Sequence, residues 1–228
     1  MKAMILAAGR GERLRPLTDR LPKPLVAVGG KALLAWHLEA LARAGFREVV
    51  INVSHLGAQI EERFGSGDEF GLCIAWSREA EPLETAGGIA NALGILGPAP
   101  FALVNADIWC DYDFSRLRAL TLGNTVAHLV LVPNPPHAAG GDFSLLAGKI
   151  GNEAAPRYTY AGIALLSPKL VAGIAAGEKT PLAPLLRAAA AAGAISGELF
   201  EGSWRDAGTL ERLSELETLL AKPVTTRG

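Results

Sequence analysis

Residues 3–8 are apolar at every position and run directly into Gly9-Arg10-Gly11. An apolar run of this length without polar alternation predicts a strand buried on both faces. For a chain of this length and composition one α/β domain is the default. The glycines that follow lack a Cβ, so the backbone there can approach a ligand closely. Arg10, Arg13, Arg15, Arg20 and Lys23 all fall before residue 24, on a stretch broken by Pro16, Pro22 and Pro24 and therefore read as loop. Strand, glycine turn and cationic loop together point to a phosphate site built from backbone N–H groups and basic side chains. A Walker loop is excluded, because no Gly-Lys-Ser/Thr follows. A dinucleotide fingerprint is excluded too, because Leu14 stands where the third glycine is required. On Gly9 and Gly11 alone, an ordinary turn followed by a solvated basic loop is the simpler reading.

The rest of the first half repeats the same constraint. Residues 31–44 predict a helix, with Leu34, Leu38 and Leu41 on one face and Gly45 placed to end it. Residues 48–53 predict a buried strand, 57–64 a helix, 72–77 a strand, 86–96 a helix entered through a glycine pair, and 101–105 a fourth strand. The order implies a parallel sheet with helices on both faces. Ligands of open parallel sheets bind beyond the carboxyl ends of the strands, where Gly9 and Asp107 both fall. After residue 113 the pattern changes. A short helix (114–120), a strand (126–132), a glycine- and proline-containing loop (134–141) and two further strands (143–147 and 157–166), read as antiparallel, are expected. An alanine-rich helix (180–192), a strand (195–200) and a last helix (209–221) capped by Thr209 follow. Residues 222–228 are expected to fray.

Half of the 228 residues are hydrophobic, which is ample for one sizeable core. With 22 basic against 23 acidic residues, the net charge of −1 carries no footprint of nucleic-acid or membrane binding. The basic excess between residues 10 and 24 is local and suits a small anion better than a polymer. Cys73 and Cys110 form no Cys-x-x-Cys pair and are expected to be free, buried thiols, so no zinc site is expected. The apolar start is too short for a signal peptide and no membrane-spanning run occurs, so a cytoplasmic protein is expected. His37, His55, His128 and His137 form no cluster in sequence; only His137 lies in a loop that could face a substrate.

The string Leu6-Ala-Ala-Gly-x-Gly-x-Arg-Leu-x-Pro-Leu-Thr18, followed by Pro22-Lys23-Pro24, is far more specific than its glycines. It resembles the signature of the sugar-nucleotide nucleotidyltransferases, the sugar-1-phosphate pyrophosphorylases. The resemblance runs through nearly the whole chain and is strongest also at residues 81–88, 105–107 and 204–209. It implies a Rossmann-like, three-layer α/β/α nucleotidyltransferase with a mostly parallel central mixed sheet in a single catalytic domain (1–221). The nucleotide-binding half would be 1–113 and the sugar-binding half 114–221. The reaction it implies joins a nucleoside triphosphate to a sugar 1-phosphate, giving an NDP-sugar and pyrophosphate. Two anions must meet, so charge neutralisation and positioning carry the catalysis.

The same resemblance assigns roles. Leu6, Ala8, Gly9, Gly11, Glu12 and Arg13 would surround the triphosphate, with Arg13 neutralising the leaving pyrophosphate. Lys23, fixed between two prolines, would bridge the phosphates of both reactants. Pro82, Gly87 and Gly88 belong to the segment that would read the base. Asp107 and Asp206 would be the two protein ligands of one Mg²⁺, a hard cation whose shell water and phosphate complete. Asn105, Gly140, Glu153 and Gly162 would contact the sugar. Arg15 and Arg20 read as solvated. Three departures are notable: Ala106 replaces a commoner glycine, the Glu-Lys-Pro string frequent before Tyr-x-Gly-Ile is missing, and the 134–143 loop replaces what others use. Pro82-Leu-Glu-Thr-x-Gly-Gly88, Asn105-x-Asp107 with Trp109 and Asp111-Tyr-Asp-Phe114 following, and Gly141-Asp142-Phe143 resemble the small single-domain branch of the family that joins UTP to N-acetylmuramic acid 1-phosphate in cell-wall recycling. Rival readings are a mannose-1-phosphate guanylyltransferase, a glucose-1-phosphate thymidylyltransferase, and a non-catalytic nucleotide-sugar sensor, against which Arg13, Lys23, Asp107 and Asp206 together argue. The expected partners are small molecules, in a monomer or homo-oligomer, with no nucleic acid and no membrane.

Overall fold

A computed structural model describes residues 1–221. In chain order its elements are β1 (Ala3–Leu6), β2 (Ala27–Val28), β3 (Lys31–Ala32), α1 (Leu33–Arg43), β4 (Glu48–Val53), α2 (Gly57–Phe64), β5 (Cys73–Arg78), α3 (Glu84–Leu96), β6 (Phe101–Asn105) and β7 (Ile108–Cys110). After these come α4 (Ser115–Ala119), β8 (Ala127–Val132), β9 (Phe143–Leu146), β10 (Lys149–Gly151), β11 (Arg157–Leu166), α5 (Leu182–Ala191), β12 (Ile195–Leu199), β13 (Trp204–Asp206) and α6 (Leu210–Ala221). The frayed tail expected at 222–228 lies outside the described residues.

The main sheet has nine strands in the order β5-β4-β1-β6-β11-β8-β12-β10-β9. β5, β4, β1 and β6 are mutually parallel, as the alternation of apolar runs and helical patterns requires. β11 runs against both β6 and β8, and β10 against β12 and β9, so the second half makes the sheet mixed. The strand order reverses between β1 and β6: the chain leaves β1 towards β4 on one side and returns to β6 on the other. That reversal opens a crevice at the carboxyl ends of the two strands.

Both faces of the first strands are apolar, for a reason visible residue by residue. Ala3 and Ile5 face one core with Leu34, Leu38 and Leu41 of α1 and Ile60 and Phe64 of α2. Met4 faces the other, with Ile89 and Leu96 of α3 and Leu182 and Leu186 of α5. Alternate side chains therefore enter opposite layers, giving the Rossmann-like three-layer α/β/α domain. A third, smaller core joins Leu14, Val26, Val28 and Leu33 to Ala207, Leu213 and Leu216, which pins α6 against the cationic loop. Gly29 N–H reinforces it by donating to Glu217 Oε2 at 2.7 Å.

Two small antiparallel ribbons fall outside the sequence expectations. β2 pairs β3, and β7 pairs β13 with Asp206 opposite Ile108 and Trp204 opposite Cys110. Three-residue strands carry too little periodicity to be read from sequence. The β7–β13 ribbon is held from below by Trp204, whose buried Nε1–H donates to Ala161 O at 2.9 Å. His37 of α1 lies 2.8 Å from Ile108 O through Nε2. Burial lowers its pKa to about 4, so the ring is neutral and Nε2–H is the donor. The two thiols are free as expected, but Cys73 is exposed at the start of edge strand β5 and Cys110 is only partly buried.

Glu84, the first residue of α3, has φ +62°. A side chain in this left-handed region costs about 1–2 kcal/mol, and replacing it with glycine gives back about 0.4–1 kcal/mol through the freer unfolded chain. The strain outweighs the entropy, so Glu84→Gly is expected to raise Tm by about 2 °C. A thermal melt of the two proteins checks this, and a lower Tm for the glycine variant would place Glu84 in an unstrained backbone.

Candidate active site

The crevice at the β1–β6 reversal is a cavity of about 730 Å³. The β1 side supplies Leu6 to Arg13. Gly9 has open space where a Cβ would stand, whereas a Cβ on Gly11 (φ +63°) would come within 2.9 Å of Thr18 Cγ2 and 3.3 Å of Lys23 Cβ. Gly11 is thus required by the fold of the cationic loop upon itself. The prolines break that loop into three short 3₁₀ turns, Glu12–Leu14, Leu17–Asp19 and Lys23–Leu25. Thr18 Oγ1 donates to Gly11 O at 2.9 Å and Leu14 is fully buried. Arg10, Glu12 and Arg13 face the cavity; Arg15 and Arg20 do not, and Arg15 pairs with Asp19 at 3.2 Å on the surface.

Lys23 is buried, and its Nζ lies 2.8 Å from Asp107 Oδ2 at the cavity floor. Pro22 and Pro24 flank it and are themselves buried. Asp107 sits in the turn between β6 and β7. Ala106, where the family more often has glycine, is buried, and its N–H donates to Leu6 O at 3.1 Å, so the methyl is accommodated in the core. Asp206 comes to the same place through the β7–β13 ribbon, with Ala207 N–H donating to Asp107 O at 2.8 Å. Its carboxylate is engaged by Arg212 of α6 at Oδ1 and by His137 Nε2 at 2.8 Å from Oδ2. Asp206 does not itself line the cavity, but Gly208, whose N–H donates to Asp206 Oδ1 at 3.1 Å, does, as does Arg13. Among the described residues no cluster of three or more metal-ligating side chains is assembled. Asp107, held by Lys23, and Asp206, held by Arg212 and His137, are carboxylates of the kind that hold a hard divalent ion whose other ligands are phosphate and water.

The segment 81–88 is arranged differently from its sequence reading. Glu81, Pro82, Glu84 and Thr85 line the cavity, but Gly87 and Gly88 do not. A Cβ on Gly87 would strike Glu178 O, and Ala86 and Gly87 N–H both donate to Thr180 O at 3.0 Å. A Cβ on Gly88 would lie 2.7 Å from Glu79 Oε1. The two glycines let α3 pack closely on its neighbours and so place Glu84 and Thr85 at the ligand side. Asn105 lines the cavity where β6 ends, and Gly162 (φ +74°) at the β11 bulge leaves room for it: a Cβ there would come within 2.7 Å of Asn105 Nδ2. Gly140 and Glu153 are exposed and border no described cavity.

Sequence reasoning missed Arg10, Asn52, Glu79 and Lys179 in the cavity wall and Arg212 behind Asp206. Arg212 follows Asp206 by six residues at the start of α6 and could have been found. Asn52 and Glu79 lie at the ends of strands on the far side of β1 and carried no local signal. They form a directed hydrogen-bond chain. Ala7 N–H donates to Asn52 Oδ1 (2.8 Å), Asn52 Nδ2 donates to Glu79 Oε1 (2.7 Å), and Leu83 N–H donates to Glu79 Oε2 (3.0 Å). A backbone donor closes each end, so the chain needs one amide and one carboxylate, in either order. Glu79→Gln sets two donors against each other and Asn52→Asp sets two carboxylates together. The exchanged pair Asn52→Asp with Glu79→Gln restores all three bonds. Each single variant is expected to lose about 1–3 kcal/mol of stability and the double variant to recover most of it. Denaturant unfolding of the four proteins tests this; additive losses in the double variant would break the coupling.

Three comparisons place this geometry. The model of the nucleotidyl transferase family matches residues 2–136. The chain is 49% identical over 230 residues to the N-acetylmuramate alpha-1-phosphate uridylyltransferase of Neisseria meningitidis serogroup B, covering 96% of this chain and 98% of that protein. It is 44% identical over 119 residues to the mannose-1-phosphate guanylyltransferase catalytic subunit beta of Drosophila pseudoobscura pseudoobscura, which covers 51% of this chain but only 32% of that protein. Its fold superposes with TM-score 0.87 on a Bacillus anthracis protein assigned as a glucose-1-phosphate thymidylyltransferase and crystallised with sucrose, over 98% of this chain and 96% of the other at 20% identity. Matched by the family model over residues 2–136 and 49% identical to a nucleotidyltransferase across 96% of its length, the chain belongs to the nucleotidyl transferase family.

Proposed function

We propose that the protein transfers the uridylyl group of UTP to N-acetylmuramic acid 1-phosphate, releasing pyrophosphate, in the reuse of cell-wall sugars in the cytoplasm. The observation that carries this reading is the 49% identity across essentially the whole length of the Neisseria meningitidis enzyme. Among the described residues no helix is long and apolar enough to cross a membrane. Residues 1–113 would hold the nucleotide and 114–221 the sugar.

In this reading the backbone of residues 9–13 and the Arg13 guanidinium hold the triphosphate along the crevice. A phosphate oxygen of the sugar attacks the α-phosphorus in line, the new P–O bond forms, and the bond to the β-phosphate breaks. Lys23, fixed by two prolines and its contact with Asp107, is held between the reacting phosphates. There it neutralises charge in the transition state without first having to reorganise. Asp107 and Asp206 would hold Mg²⁺, which when bound supplies further neutralisation of the phosphate oxygens. The cations now on these carboxylates would exchange partners as the phosphates enter. A second reading, mannose-1-phosphate guanylyltransferase, draws on the similarity of one half of the chain. A glucose-1-phosphate thymidylyltransferase draws on the fold alone.

Pyrophosphate release measured for each nucleoside triphosphate against a panel of sugar 1-phosphates separates these. UTP with N-acetylmuramic acid 1-phosphate is expected to give the highest kcat/KM, and chelation by EDTA to abolish it. Faster turnover of GTP with mannose 1-phosphate would overturn the specificity, and no turnover with any pair the enzyme reading. Lys23→Ala is expected to lower kcat by about 100-fold or more with an unchanged fold by circular dichroism. A near-normal kcat would remove Lys23 from the transition state.

A further inference from the structure

A second cavity of about 310 Å³ adjoins the first and shares Glu84, Thr85 and Asn105 with it. Its far wall is formed by Phe143, Tyr160, Leu186 and Arg187. Arg187 projects from α5 with its guanidinium 5.4 Å from the centre of the Phe143 ring. Among the described residues it has no carboxylate within 4.0 Å, and its side chain makes only one long contact, Nη1 to Asp142 O at 3.4 Å. The Tyr160 hydroxyl in the same wall is buried without a hydrogen-bond partner. Burial pushes its pKa well above the usual phenol range, so it stays protonated and offers a donor. A buried, unpaired donor costs about 1–3 kcal/mol, which a ligand acceptor would recover.

The one acidic residue at this wall is Asp142. Its Oδ2 already accepts Tyr160 N–H at 2.9 Å, and its carbonyl accepts Arg157 Nη2 at 2.9 Å. The Arg157 and Arg187 guanidinium groups therefore both lie on the Asp142 backbone carbonyl, and among the described residues neither has a carboxylate within 4.0 Å, which leaves a local positive charge at the far end of the cavity. Glu84 is on the opposite, shared wall.

We propose that Arg187 and the Tyr160 hydroxyl form a subsite for a carboxylate, so that the sugar 1-phosphate taken by this chain carries an acidic substituent. The inference rests on the reading of the chain as a sugar-1-phosphate nucleotidyltransferase and names the group that sets its sugar choice. A guanidinium offers a carboxylate two parallel N–H donors, and the phenol supplies a third donor. Phe143, Leu182 and Leu186 provide apolar surface for a short methyl-bearing arm. The lactyl ether of N-acetylmuramic acid has this chemistry, a methyl and a carboxylate on one carbon.

N-acetylglucosamine 1-phosphate lacks only that lactyl ether, so the pair isolates it. Binding of each sugar phosphate by calorimetry and kcat/KM with UTP are measured for the native protein, Arg187→Met, Arg187→Lys and Tyr160→Phe. The native protein is expected to prefer the lactyl sugar. Arg187→Met is expected to cut that preference about 10-fold to 100-fold, mostly through KM, with the KM for UTP unchanged. Arg187→Lys should retain part of the preference and Tyr160→Phe should lose a smaller part. A preference left intact by Arg187→Met, or a native preference for N-acetylglucosamine 1-phosphate, overturns the subsite. Selective binding lost in Arg187→Met but without turnover in any protein keeps the subsite and overturns the enzyme reading instead.

Discussion

The parallel ladder between β1 and β6 is the contact on which the rest of the molecule depends. Leu6 and Asn105 end the two strands in register, and Ala106 N–H extends the ladder to Leu6 O. From these two ends the chain turns away on one side into the cationic loop and on the other into Asp107. A slip of one residue would move Asp107 about 3.3 Å along the strand. That is enough to break its contact with Lys23, so the sheet register and the electrostatics of the site are one constraint.

Burying Lys23 is costly, because its ammonium gives up water while Asp107, its partner, stays part-exposed. The pair persists because its surroundings hold it. Pro22 and Pro24 restrict the backbone, the loop folds on Thr18 and Gly11, and α6 clamps the loop through Leu14, Val26 and Val28. The same α6 brings Arg212 to Asp206, and the β7–β13 ribbon brings Asp206 to Asp107. The C-terminal segment thus braces the N-terminal loop, although about 180 residues separate them. Opposite charges alternate across this small region.

The two cavities differ in chemistry. The first is lined by backbone, arginines, Lys23 and carboxylates. The second has aromatic and aliphatic walls with Arg187 at one end and Glu84 at the other. Glu84, Thr85 and Asn105 form the seam, and three glycines serve that seam indirectly. Gly87 and Gly88 bring α3 close to its neighbours, and Gly162 clears space for Asn105. The strain at Glu84 sits at this junction, where an over-determined backbone holds a side chain towards a ligand.

The order and extent of the larger elements were legible in the chain because each buries an apolar face with its own period. The runs at β1, β4 and β6 and the leucine stripes of α1 and α6 needed no partner to be recognised. Gly9, Arg13, Lys23 and Asp107 were legible because they are contiguous with those elements and lie at strand ends or in one loop. What lay beyond reach came from contacts between segments distant in sequence. The β7–β13 ribbon, the Asn52–Glu79 chain, Lys179 beside α3 and the Arg187–Tyr160 wall each need two or more segments to meet. Gly87 and Gly88 show the limit within a recognised motif. Their spacing marked a close approach, but only packing decided that it is to Glu178 and Glu79. Local pattern determined which residues could carry charge to a strand end. The tertiary structure decided which charges face one another, because the distance between side chains on different elements follows from packing and not from spacing along the chain.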